Sequence, residues 1–239
     1  MRRFLRFRVL VALFVGLLFW ASVVMWFAKP RYDQFMCGLS TDYTLSFAMR
    51  LYSNDQPDKK YPPMSSISGR LFPDADVLYP KYLSDKSYPP FCSTASRAYK
   101  RSSIEEQFER PTHLYLGYAL LNETELLAFL ESYPSFVEQE VNLDDDLPAP
   151  AGRGSFGGDT FLRLISKPFE GKIGNTYNIP EIIELPDFSD DGFEFRHPGN
   201  GGFVQFFHGG CRYIEFGAEF PMTREVIEKI REIKAMYED

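Results

Sequence analysis

Residues 9–28, VLVALFVGLLFWASVVMWFA, are twenty consecutive residues without a charge. No other stretch constrains the chain as much. At a helical rise of ~1.5 Å per residue they cover ~30 Å, the hydrocarbon thickness of a bilayer. Arg2, Arg3, Arg6 and Arg8 precede the run, and Trp20 and Trp26 approach its far end, where amphipathic rings sit at a membrane–water boundary. The run exceeds the ~7–15 apolar residues of a cleavable signal, and bulky Met25, Trp26 and Phe27 stand where cleavage needs small residues. A retained anchor is therefore expected. The arginines and the terminal amine outweigh Lys29 and Arg31 on the other side, which places the N-terminus in the cytoplasm and the rest of the chain outside it.

The implied organisation is a cytoplasmic tail at 1–8, a transmembrane helix at 9–28, a juxtamembrane helix at 29–58 and a globular domain at 59–239. Six of the 26 Lys and Arg lie at or before Arg31 and all 33 acids lie after it, leaving 20 basic against 33 acidic residues and a net charge of −13 beyond the anchor. So acidic a surface disfavours nucleic acid as a partner. The three cysteines are Cys37, Cys92 and Cys211. In an oxidising compartment Cys37 with Cys92 is the candidate disulfide, and three buried free thiols are the alternative.

Hydrophobic periodicity gives an α+β chain. Leu39, Tyr43, Phe47 and Leu51 recur every four residues, a helical stripe expected to pack on the domain. Residues 59–96 are rich in Pro, Tyr and Ser and read as loop with a short helical turn. The run 113–118, HLYLGY, reads as a strand. Asn122 and Glu125 form a capping box for a helix to about Tyr133, which also accounts for the Asn122-Glu123-Thr124 sequon. Asp144-Asp145-Asp146 lies in a surface excursion and reads as a solvated acidic loop. The glycines of 152–158 lack the Gly-Lys-Ser/Thr of a phosphate loop. Residues 160–165 read as a strand, and 178–185 as another, placed at a sheet edge by Pro180. Residues 203–207 and 211–216 form a hairpin turning at His208-Gly209-Gly210. Thr223 caps a last helix whose buried stripe is Val226, Ile227, Ile230 and Ile233.

Several short motifs occur in a fixed order: Met49-Arg50-Leu51-Tyr52, Tyr79-Pro80-Lys81-Tyr82-Leu83 followed by Cys92, His197-Pro198-Gly199, and Phe220-Pro221-Met222-Thr223-Arg224. In that order the chain resembles bacterial pseudopilin-like envelope proteins whose C-terminal motif is written H-x9-DG. The resemblance implies a pilin-like fold, in which the transmembrane helix continues into a helix packed on an antiparallel sheet and a C-terminal helix follows. It also implies the cytoplasmic (inner) membrane, with the C-terminal domain in the periplasm, and envelope proteins as partners beside the lipid bilayer at 9–28. The family's Asp-Gly turn is His208-Gly209 here, and no acid precedes Asp33. The glutamate on which prepilin assembly depends is thus missing, which argues against processing into a filament.

No enzyme, cofactor or metal site is expected. His208 and Cys211, with His197 nearby, are zinc-ligand types, yet a hairpin need not bring them together. No Gly-x-Ser-x-Gly elbow occurs. His197, Pro198, Gly199, His208, Gly209 and Gly210 are read as architectural. The functional expectation is a membrane-anchored structural or interaction protein. An extracytoplasmic module binding calcium or a glycan is the alternative, and a cryptic hydrolase a third.

Overall fold

The computed structural model describes residues 2–84, 103–109, 111–166, 178–189, 192–194, 200–207 and 210–237. Within the first helix, the described side chains are those of residues 14, 16–24 and 39–55. The architecture is α+β. Helix α1 (Arg2–Asp55) runs unbroken for 54 residues, through Pro30. Short helices α2 (Ala75–Leu78) and α3 (Ile104–Glu109) follow, then strand β1 (His113–Tyr115) and helix α4 (Glu123–Glu138). Next come β2 (Leu147–Pro148), β3 (Thr160–Phe161), β4 (Pro180–Glu184), β5 (Asp187–Ser189), β6 (Gly192–Glu194), β7 (Gly201–Phe206) and β8 (Cys211–Glu215). Helix α5 (Arg224–Tyr237) completes the order. Among the described residues no helix is long and apolar enough to cross a membrane.

The main sheet is antiparallel throughout, in the order β1-β4-β7-β8. The hairpin expected around 203–216 is β7–β8, with Phe203 opposite Tyr213 and Gln205 opposite Cys211. Gly201 makes this pairing close, and Gly202 does the same for β7 against β4. A Cβ on Gly201 would run into the Ile214 carbonyl oxygen, and one on Gly202 would come within 2.8 Å of the Glu184 carbonyl oxygen.

Three expectations are corrected. Strand β4 is central, not an edge: it pairs with both β1 and β7, and all five residues are buried. Pro180 is tolerated because it stands at the strand's first position, where the register shifts between Pro180 and Ile182. The strand expected over 160–165 is shorter, two residues of β3 followed by isolated bridges at Arg163 and Ile165. Helix α4 runs past Tyr133 to Glu138 with Pro134 inside it. Phe136 in the continuation packs edge-on against Phe161, which holds the last turn to the core. The acidic triplet lies at the surface, as a solvated loop does, and its carboxylates also tie the fold together. Asp146 accepts the Arg163 backbone N–H at 2.7 Å, Asp144 meets the Arg163 guanidinium at 3.4 Å, and Asp145 pairs with Lys60 at 3.2 Å.

Other local readings match. Asn122 Oδ1 accepts the Glu125 N–H at 3.0 Å, and the Glu125 carboxylate reaches back to the Leu121 N–H at 2.7 Å. Thr223 caps α5 by accepting the Val226 N–H at 3.4 Å, and Val226, Ile227, Ile230 and Ile233 are fully buried. Helices α4 and α5 pack together, and their first turns are tied by a hydrogen bond from Thr223 to Glu123.

Candidate functional site

The helical stripe of Leu39, Tyr43, Phe47 and Leu51 does not face the domain. Tyr43 is 49% exposed, Phe47 64% and Leu51 37%, while Asp42, Leu45, Ser46, Met49 and Ser53 are buried. The two sets lie on opposite faces, since two residues of α-helix turn by about 200°. Both faces could bury apolar side chains. The sheet takes the one that carries Asp42, Ser46 and Arg50, each of which meets a polar group there.

The buried face forms a polar seam between α1 and all four strands. His113 of β1 sets Nε2 3.1 Å from Asp42 Oδ1, a close contact between two fully buried side chains. With a proton on that nitrogen, His113 Nδ1 is free to accept from the Thr112 hydroxyl, 2.9 Å away. Cys211 of β8 donates to Asp42 Oδ2 at 3.4 Å. Glu184 of β4 accepts the Phe203 backbone N–H of β7 at 3.1 Å. One helical turn along, Ser46 donates to Glu181 Oε2 at 3.0 Å. One further turn on, Arg50 donates to the Phe207 carbonyl at 2.6 Å and lies 4.0 Å from Glu181.

The electrostatics follow from burial. Removal from water pushes the Asp42 carboxyl above its ordinary range, against the opposing pull of His113. Burial pushes Glu181 up to about 8, with Arg50 and the Ser46 hydroxyl opposing it. The Cys211 thiol is also raised, first by burial and then by the Asp42 charge. A thiol in that state gives up the thiolate on which cysteine chemistry depends. Asp42 also stands between thiol and imidazole, so the thiol proton is directed at a carboxylate. Such an arrangement holds protons and fixes the register of a helix.

A second buried centre is Arg163. Its guanidinium donates to the carbonyls of Gly117 at 2.7 Å, Tyr61 at 2.9 Å and Pro62 at 2.7 Å. It also lies over the Tyr118 ring at 5.0 Å. It gathers the connecting segments around β1 and is a structural hub.

Of the residues singled out in the sequence, Gly210 leads into β8, 3.8 Å from the Tyr43 hydroxyl as measured from an added Cβ. His197, Pro198, Gly199, His208 and Gly209 lie outside the described residues, as do Cys92 and the side chain of Cys37. Cys211 is a free thiol. Among the described residues no three His, Cys, Asp or Glu side chains are grouped to hold a metal. Sequence reasoning passed over Asp42 and Ser46, and took Arg50 only as part of a short motif. Their spacing of four was the available signal, since three polar residues on one helical face ask for polar partners. Comparison with known proteins finds no matching family model, no similar curated protein and no similar solved structure.

Proposed function

We propose that this chain is a membrane-anchored structural or interaction protein with a pseudopilin-like domain outside the cytoplasm, and that it carries no catalytic activity. One observation carries the reading. Phe14, Leu17, Leu18, Phe19, Trp20, Val23 and Val24 are all exposed along α1, within the twenty-residue run that has no charge. These positions point around the whole helix, not along one stripe, and a helix apolar on every side has water-free surroundings as its natural setting. The same helix continues without a break into the residues that key onto the sheet. A structural role is further supported by the seam, which spends its ionisable groups on holding α1. The test is alkaline carbonate extraction of membranes with protease treatment of spheroplasts. The reading expects the chain in the pellet and digestion beyond residue 29. A soluble chain, or a protected C-terminal domain, overturns it.

A further inference from the structure

Helix α1 joins the rest of the domain through the turn after Asp55, where backbone hydrogen bonds run from Gln56 to Ser53 and from Lys59 to Gln56. Upstream of that turn, no backbone hydrogen bond ties residues 41–53 to the sheet among the described residues. Side chains hold this segment. Its buried apolar part is small, Leu45, Ala48 and Met49, and the remainder is the polar seam.

Three buried carboxyls meet in the seam, those of Asp42, Glu181 and Glu184. Arg50 is the guanidinium beside them, 4.0 Å from Glu181, and its short hydrogen bond goes to the Phe207 carbonyl. Glu181 Oε2 takes the Ser46 hydroxyl at 3.0 Å, while Oε1 is buried with no hydrogen-bond partner among the described residues. Away from water an anion so poorly provided with donors costs far more than the neutral acid. The docked helix therefore favours a protonated Glu181. Of the groups facing it, Arg50 of α1 favours the anion and Asp42 of α1 opposes it. The hydroxyls of Tyr115 on β1 and of Tyr61, in the segment after α1, also face it. Beyond Asp42 stand His113 of β1, Glu184 of β4 and Cys211 of β8.

We propose that residues 41–53 of α1 form a proton-held latch, which lies on the sheet while Glu181 is protonated and swings away about the turn at 56–59 when Glu181 ionises, with the sheet, α4 and α5 still folded. The latch does not depend on the anchored reading. An element held through side chains on one face can open below the limit of global unfolding. Once open, Glu181 regains the acidity of an ordinary glutamate, near ~4.3, against about 8 when docked. Between those values each pH unit favours the open form about tenfold, and from pH 6 to pH 8 the gain is roughly fifty-fold. In an anchored chain the consequence is a domain fixed to its helix in acid and loosened from it as pH rises.

Hydrogen–deuterium exchange of the full chain in detergent solution tests the latch, with rates corrected for the intrinsic effect of pH. Amides of residues 41–53 should be less protected than those of 226–233 in α5, and should lose roughly fifty-fold in protection from pH 6 to pH 8. Glu181→Gln should keep most of that protection at pH 8, with α5 reporting that the variant is folded. Equal protection of the two segments at pH 8 means that the whole domain opens at once, and overturns the latch. So does protection of 41–53 that is the same at both pH values, or that falls as far in the variant as in the parent. If the variant does not fold, the parent's comparison of the two segments across pH decides alone.

Discussion

Glu181 is a carboxyl with no exposed surface, one hydroxyl donor and a guanidinium at 4.0 Å that spends its short hydrogen bond on a carbonyl. Its folded pKa, about 8, lies above that of an unfolded glutamate near ~4.3. The folded state therefore binds the proton more tightly. The stability this contributes is complete below pH ~4.3 and is lost progressively as pH rises towards 8. Glu181→Gln keeps the neutral shape and removes the titration. At pH 8 the variant should be more stable than the parent by roughly 4–5 kcal/mol, and near pH 4 about equal to it. Chemical denaturation at both values reads the difference, and parallel curves for the two proteins would contradict the account. Arg163 belongs to the same scale. Arg163→Met leaves the carbonyls of Gly117, Tyr61 and Pro62 without their donor and should cost about 3–5 kcal/mol. Asp145→Ala, which breaks a solvent-facing pair with Lys60, should cost under about 1 kcal/mol in the same melt.

At the scale of elements, local signals and tertiary choices separate cleanly. The caps at Asn122 and Thr223, the α5 stripe and the β7–β8 hairpin depend on neighbours within a few residues, and all were legible in the sequence. Asn122→Ala should cost about 1 kcal/mol by thermal melting, since Asn122 Oδ1 holds the Glu125 N–H. Gly201→Ala tests the hairpin's close pairing, where an added Cβ would meet the Ile214 carbonyl oxygen. It should cost about 1–3 kcal/mol. What stayed hidden depended on partners far along the chain. Tyr43, Phe47 and Leu51 satisfied helical periodicity, yet the buried face was decided by His113, Glu181 and Cys211, which lie 71 to 169 residues from Asp42. Pro180 suggested an edge by its missing N–H, and a register shift at the strand's start cancelled that argument. Asp144, Asp145 and Asp146 lie at the surface as their composition suggested, but nothing nearby in sequence showed that Arg163 and Lys60 would be drawn to them.

At the scale of the molecule, one helix has two environments. Its described side chains from 14 to 24 make no part of the domain core, which begins around residue 41. Anchor and fold should therefore be separable by substitution. The uncharged run contains twelve Leu, Val and Phe residues, which at about −0.3 to −0.6 kcal/mol each give an insertion free energy on the order of −5 kcal/mol. An arginine at the centre of a span costs about 2.5–3.5 kcal/mol. Leu17 and Leu18 lie at the middle of the run. Replacing both with arginine adds about 5–7 kcal/mol and removes two favourable residues, enough to cancel insertion. Neither side chain touches the domain, Leu17 being 63% and Leu18 54% exposed. The double variant should thus leave the carbonate-resistant membrane fraction while its domain melts at the parent's temperature. Leu45→Ala, on the buried face of the same helix, should do the reverse. It should stay in the membrane fraction with a domain destabilised by about 2–5 kcal/mol. If the double arginine variant remained in the pellet, residues 9–28 would not be what holds the chain to the membrane.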